Sequence, residues 1–157
     1  MKKQELNKIM GKAEDICSHS GTRLTEKRKR ILELLLRAKA PLSAYEVADG
    51  YNRTSENSMP TMSVYRILDF LETELLVHKL SSTNKYVACS HIACDHAHEV
   101  PQFLICGKCQ NVKEIAISKS IIDELDKQVV DAGYKLVNSQ LELQCLCEGC
   151  LGPVNTN

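Results

Sequence analysis

Cys106-Gly107-Lys108-Cys109 and Cys147-Glu148-Gly149-Cys150 form two Cys-x-x-Cys pairs in the C-terminal part of a 157-residue chain. Four thiolates presented this way make a tetrahedral sulfur cage, which Zn²⁺ takes as a closed structural site with no open position for a substrate. The glycine inside each pair is expected to relax the tight turn that aims both sulfurs at one ion. A thioredoxin-like redox motif would need only one such pair. A disulfide framework would need an oxidising compartment. The chain opens with Met-Lys-Lys and a charged helical pattern, without an apolar leader-like segment, so a cytoplasmic location and a metal site are expected.

A second concentration of ligand types runs from His78 to Glu114: His78, Cys89, His91, Cys94, His96, His98, Cys106, Cys109 and Glu114. Four of the five histidines fall within 21 residues, a clustering that a set of scattered structural histidines would not produce. A catalytic zinc is disfavoured. No His-Glu-x-x-His occurs, and neither Cys-x-x-Cys carries the preceding proline and upstream His-x-Glu of a nucleobase deaminase. No enzymatic activity and no small-molecule substrate are expected.

The third group is basic. Residues 1–89 hold 15 Lys and Arg against 11 Asp and Glu, whereas residues 90–157 hold 5 against 9, so only the front of this formally neutral chain suits a polyanion. Lys27, Arg28, Lys29 and Arg30 crowd one stretch, and Tyr65-Arg66 stand in another. The chain has no Trp and 4% aromatic residues, which disfavours a stacking platform for single strands. No apolar run approaches the length of a membrane span.

The elements that must carry these groups follow from periodicity. Leu6, Ile9, Met10, Ala13, Ile16 and Cys17 recur at helical spacing over 4–18, and Gly21 breaks the pattern. Thr25 is placed to cap a second helix that buries Ile31, Leu32, Leu35 and Leu36. Ser43 and Glu46 make a capping-box pattern for a third helix over about 44–51 that buries Val47, followed by a polar loop over 52–58. A fourth helix over 62–75 keeps Val64, Ile67, Leu68, Leu71 and Leu75 on one stripe and presents Ser63, Tyr65, Arg66 and Asp69 on the other face. Its N-terminal turns are what a recognition helix places in the major groove. Two β-prone runs, 76–80 and 85–89, joined by a polar turn, complete a winged helix-turn-helix suited to duplex DNA.

Beyond a hinge, strands over 102–105 and 111–117 flank the first cysteine pair. A helix capped by Ser118 or Ser120 follows, with Ile121, Ile122, Leu125 and Val129 on one side and Gly133 at its end. A last strand over 134–146 returns to Cys147. The fold class is therefore α+β: an N-terminal winged-helix domain (1–89, with a hinge over 90–101) and a small α/β dimerisation domain (102–157) carrying a Cys₄ zinc site. The exposed strand and helix of the second domain make a homodimer reasonable.

In combination, Arg23-Leu24-Thr25, Ser43-Ala44-Tyr45, Ser63-Val64-Tyr65-Arg66-Ile67-Leu68-Asp69-Phe70-Leu71, Val77-His78-Lys79, Phe103-Leu104-Ile105-Cys106, Val112-Lys113-Glu114 and Leu146-Cys147 are highly specific. Through them the chain resembles the ferric uptake regulator family over nearly its whole length, and most closely the zinc uptake regulator branch. The resemblance implies a dimeric repressor with a winged helix on palindromic operator DNA, switched on by zinc and acting on zinc-uptake genes. It implies a structural zinc on Cys106, Cys109, Cys147 and Cys150, and a regulatory zinc on His78, Cys89, Glu114 and one further histidine. His98 stands nearest the expected offset, with His96 second and His91 also open. Two zinc ions per subunit follow. Tyr45 and Arg66 match base-reading positions, Ser63 replaces the usual threonine, and Tyr65, Arg23, Lys27 and Arg28 complete the expected DNA contacts. Cys89 separates the zinc branch from iron, manganese and peroxide sensors, because Fe²⁺ and Mn²⁺ are better served by nitrogen and oxygen alone. A reading of another class is a zinc-stapled protein-interaction module that does not bind DNA.

Overall fold

The computed structural model describes residues 1–94 and 100–152. The chain divides into two compact units, Met1–Asp95 and His96–Asn157.

The first unit is four helices and a hairpin: α1 (Lys3–His19), α2 (Glu26–Arg37), α3 (Ala44–Thr54), α4 (Thr61–Thr73), β1 (Val77–Leu80) and β2 (Lys85–Ala88). The periodic apolar residues meet in one aliphatic core, where Ala13 and Cys17 of α1, Ile31, Leu32 and Leu35 of α2, Val47 of α3 and Val64, Leu68 and Leu71 of α4 are buried together. Leu36 and Ile67 are only half-buried at its margin. The capping box of α3 is formed: the Glu46 amide donates to Ser43 Oγ at 3.2 Å, and the Ser43 amide donates to Glu46 Oε2 at 2.7 Å. Thr25 occupies the N-cap position of α2 but its side chain makes no capping bond, so at this site the residue type was a signal of position only.

Two differences from the sequence reading bear on α4 and the loop that precedes it. The helix α4 stops at Thr73, and Leu75 takes a left-handed φ of 57° and is 50% exposed, instead of extending the buried stripe. The Leu76 amide bonds the Leu71 carbonyl at 2.9 Å and the Leu75 amide the Glu72 carbonyl at 3.0 Å, a Schellman ending built without glycine. At the other end, α3 runs on to Thr54, and the Asn52 amide side chain clasps the loop behind it: the Met59 amide donates to Asn52 Oδ1 at 2.6 Å and Asn52 Nδ2 donates to the Met59 carbonyl at 3.2 Å.

The hairpin pairs β1 with β2 antiparallel, His78 opposite Val87, through a turn in which Asn84 supplies a left-handed φ of 53°. Leu42 pairs with Tyr86 on the outer edge of β2, with amide-to-carbonyl distances of 3.1 and 2.8 Å. The linker before α3 is thereby joined to the wing.

The second unit holds β3 (Gln102–Cys106), β4 (Val112–Ile115), α5 (Lys119–Asp131), β5 (Glu142–Cys145) and α6 (Glu148–Leu151). The strand β3 is central, antiparallel to β4 and parallel to β5. The expected strand over 134–146 contracts to its last part because Asn138 Oδ1 accepts the Gln140 amide at 2.9 Å, turning the chain just before it. Gln102, fully buried, then aligns β5: its Oε1 accepts the Leu141 amide at 2.5 Å and its Nε2 donates to the Ser139 carbonyl at 2.8 Å. The helix α5 ends at Gly133 (φ 85°) as its sequence indicated, yet none of its residues is buried.

Candidate metal centres and nucleic-acid face

The parallel pairing of β3 and β5 sets Cys106 opposite Cys145, so that Cys147, two residues on, arrives beside the turn that follows β3. The Gly107 amide bonds the Cys145 carbonyl at 2.9 Å and holds that turn against β5. The Sγ atoms of Cys106, Cys109, Cys147 and Cys150 all lie within 4.8 Å of one another, with Cys109 and Cys147 at 3.6 Å. Lys108 Nζ donates to the Cys150 carbonyl at 3.1 Å and closes the two knuckles on each other. Neither Gly107 nor Gly149 has a positive φ. The left-handed residue of the first knuckle is Gln110, at 59°, so the turn there does not depend on the glycine, contrary to the sequence expectation.

The electrostatics favour a cation. Backbone amides of Cys109 and Cys147 point at Cys106 Sγ, the latter at 3.4 Å, and lower its pKa to about 6. The Cys150 thiol, by contrast, holds its proton: the Cys147, Cys109 and Cys106 sulfurs beside it push its pKa up to about 12. Four sulfurs at this spacing fit Zn²⁺, which displaces the protons and satisfies all of them at once. No cysteine is disulfide-bonded among the described residues. Cys145, though in register with Cys106, is not among the four clustered thiols.

In the first unit, β1 carries His78 and Cys89 follows directly on β2, both buried. The Cys89 amide extends the hairpin by bonding the Leu76 carbonyl at 2.9 Å, and a ring nitrogen of His78 lies within 4.8 Å of Cys89 Sγ. The His91 amide donates to that sulfur at 3.4 Å, a bond that stabilises a thiolate. This backbone group is a part of the site that residue types could not reveal. Glu114 stands half-buried on β4 of the second unit, opposite Phe103. His96 and His98 lie outside the described residues. His91 and Cys94 sit in one turn, the Cys94 amide on the His91 carbonyl at 3.0 Å.

On the nucleic-acid side, the exposed face of α4 is formed by Met62, Arg66, Asp69 and Thr73. Ser63 and Tyr65 flank it, half-buried, on opposite sides. Tyr45, 65% exposed at the start of α3, meets Tyr65 edge to face with ring centroids 6.5 Å apart. Lys27, Ser63 and Arg66 share a surface concavity of about 270 Å³. The rest of the basic run turns to its own fold. The Arg28 guanidinium lies 3.4 Å from the Phe70 ring centroid and donates to the Arg23 carbonyl at 2.6 Å. Lys29 pairs with Glu14 and Glu26, and Arg30 donates to Ser55 Oγ at 3.0 Å. Met62 was missed in reading the helix face, although its place four residues before Arg66 was visible.

Comparison with known proteins agrees with this geometry. The ferric uptake regulator family model matches residues 19–144. The zinc uptake regulation protein of Escherichia coli (strain K12) is 32% identical over 151 residues, 96% of this chain and 86% of its own length. A solved zinc uptake regulator complexed with zinc and DNA superposes with a TM-score of 0.81 at 32% identity, covering 93% of this chain and 95% of that one. The crystal structure of holo XcZur does so with a TM-score of 0.78 at 32% identity, covering 94% and 99%.

Proposed function

The chain belongs to the ferric uptake regulator family, and from that premise we propose that it is a zinc-responsive repressor that binds palindromic operator DNA as a homodimer and controls zinc-uptake genes. The observation that carries the choice of metal is the pairing of Cys89 Sγ with the His78 imidazole, within 4.8 Å, on the wing of the DNA-binding unit. A site containing a thiolate and imidazole suits tetrahedral Zn²⁺ better than the harder Fe²⁺ or Mn²⁺. The similarity to a zinc uptake regulator complexed with zinc and DNA supports the same reading.

Two ions per subunit are proposed. Bound zinc supplies a rigid tetrahedral cross-link and no redox chemistry. Cys106, Cys109, Cys147 and Cys150 would hold the structural ion. His78, Cys89, Glu114 and one of His98 or His96 would hold the regulatory one. His78 and Cys89 belong to the first unit and Glu114 to the second, so these residues would share one ion, whose differential affinity for two states would favour a DNA-binding arrangement. Dimerisation through the second unit is supported by the uncovered apolar residues of α5, where Ile121 is 57% and Val130 56% exposed. Two-fold symmetry then requires a palindromic site. At that site Tyr45 and Arg66 read bases, Arg66 through guanine O6 and N7. Ser63 and Tyr65 support them, while Lys27 and Arg23 belong to the phosphate-facing side and Arg28, engaged with Phe70 and the Arg23 carbonyl, serves the fold instead.

The test is binding of a duplex, recovered by selection from a randomised pool, at fixed salt against buffered free Zn²⁺, with Fe²⁺ and Mn²⁺ in parallel. Zinc alone is expected to switch on tight binding. Cys89→Ser is expected to blunt the switch while leaving one zinc per chain by elemental analysis. Equal activation by Fe²⁺ or Mn²⁺, with Cys89→Ser unaltered, would instead assign the chain to the iron, manganese or peroxide sensors. Loss of nothing on Arg66→Ala would mark an interaction module.

A further inference from the structure

We propose that Met62 is a specificity-determining residue that reads thymine, packing its thioether on the C5-methyl group of a thymine in the major groove beside the base contacted by Arg66. The inference rests on the DNA-binding reading above and deepens it.

The solvent face of α4 is Met62, Arg66, Asp69 and Thr73, spaced i, i+4, i+7 and i+11, directly opposite the buried Val64, Leu68 and Leu71. Met62 is the one apolar side chain of those four, and it is 67% exposed. It lies in the first turn, the part of a recognition helix that meets base edges. The segment leading into it is held in place, because the neighbouring Met59 is buried and clasped by the Asn52 amide at 2.6 and 3.2 Å. Met62 is therefore presented by an anchored backbone. Tyr65, one turn on, flanks it and meets the exposed Tyr45 edge to face, which gives this end of the reading surface an aromatic border. On the major-groove edge of a base pair the apolar feature is the thymine methyl. An unbranched, polarisable thioether can settle on it without demanding one rotamer.

The test uses the zinc-loaded full chain as wild type, Met62→Ala and Met62→Leu, each selected against duplexes with a randomised centre. The wild type is expected to return an inverted repeat with a thymine in each half. Replacing that thymine by deoxyuridine, which removes only the methyl group, is expected to weaken the wild type about fourfold per half-site, as for loss of one buried methyl contact. Met62→Ala should already be weaker by a similar factor and indifferent to the replacement, and Met62→Leu should keep the preference. The proposal is overturned if deoxyuridine at every thymine leaves the wild type unchanged, or if the penalty is the same in Met62→Ala. A wild-type selection that returns no repeat overturns the DNA-binding reading and this inference with it. A repeat reproduced base for base by Met62→Ala, with the same thymine penalty, overturns only the role of Met62.

Discussion

Lys27 and Arg28 are adjacent in a run of four basic residues, but the fold assigns them different surroundings. Lys27 shares a concavity with Ser63 and Arg66, whereas the Arg28 guanidinium stacks on Phe70 and holds the Arg23 carbonyl. Lys27→Ala is expected to weaken all duplexes alike and to reduce the slope of log K against log salt by about one, as measured by titration between 50 and 200 mM salt. Arg28→Ala is expected to lower the stability of the free protein by about 0.5–1 kcal/mol in urea unfolding, the size of an exposed cation–π contact. An equal loss of salt slope in both variants, with unchanged stability, would return Arg28 to the phosphate-binding set. Residue type announced the charge of this stretch. Which charge faces outward was decided by the packing of α2 against α4.

At the scale of the element, two helix ends carry testable consequences. Glu46 completes the capping box of α3 and also pairs with Lys85 of the wing at 3.3 Å. The Ser43 amide, then the Ser43 hydroxyl, and after them Lys85, hold the Glu46 carboxyl below its ordinary pKa. A lowered pKa means that the stabilisation is fully present above the ordinary carboxylate value and is lost as pH falls through the lowered one. Glu46→Gln is therefore expected to cost about 0.5–1 kcal/mol at pH 7, the range of an exposed cap, and nothing near pH 2, as read from urea midpoints at the two pH values. A cost independent of pH would exclude the carboxylate as its source. At the end of α4, Leu75 holds a left-handed φ of 57° while half its surface is in water. Leu75→Gly should remove that strain with little lost packing and raise stability by about 0.5–1 kcal/mol, checked by thermal unfolding. The capping box was legible because it is a local pattern of two residues. The Schellman ending at Leu75 was not, because its usual mark is a glycine and here tertiary packing of Leu76 and Val77 imposes the conformation instead.

For the whole molecule, the two units rest on different sources of stability. The first has a continuous aliphatic core drawn from all four helices and the hairpin. In the second, the buried residues among those described are Gln102, Phe103, Ile105 and Cys106, all on β3, and α5 buries none. A core that small does not stabilise a domain alone, so on the proposed reading the second unit would draw stability from a metal at its cysteine cluster and from a second copy. Removing zinc with a strong chelator at neutral pH is expected to dissociate the dimer in sedimentation velocity. In the same sample, amide exchange protection should vanish from β3, β4 and β5 and persist in α2 and α4. Retention of the dimer and of protection in β3 after complete zinc removal would show that the cysteine cluster is not the staple.

What the sequence determined by itself were the features set over a few residues. These are the helical periods that became α1 to α5, the capping box at Ser43 and Glu46, the two Cys-x-x-Cys pairs, and the resemblance carried by strings such as Ser63-Val64-Tyr65-Arg66. Each is a short-range pattern whose physical meaning survives without knowledge of the neighbours. Only the tertiary structure decided the rest. The parallel pairing of β3 with β5 brings Cys147 and Cys150 to Cys106 and Cys109 across some 40 residues, and closure of the hairpin sets Cys89 beside His78. Packing of α2 and α3 on α4 leaves Met62 and Arg66 facing outward and lays the half-buried Arg28 over Phe70. These outcomes depend on contacts between residues far apart in the chain, whose identity is set by how whole surfaces fit together and not by local composition.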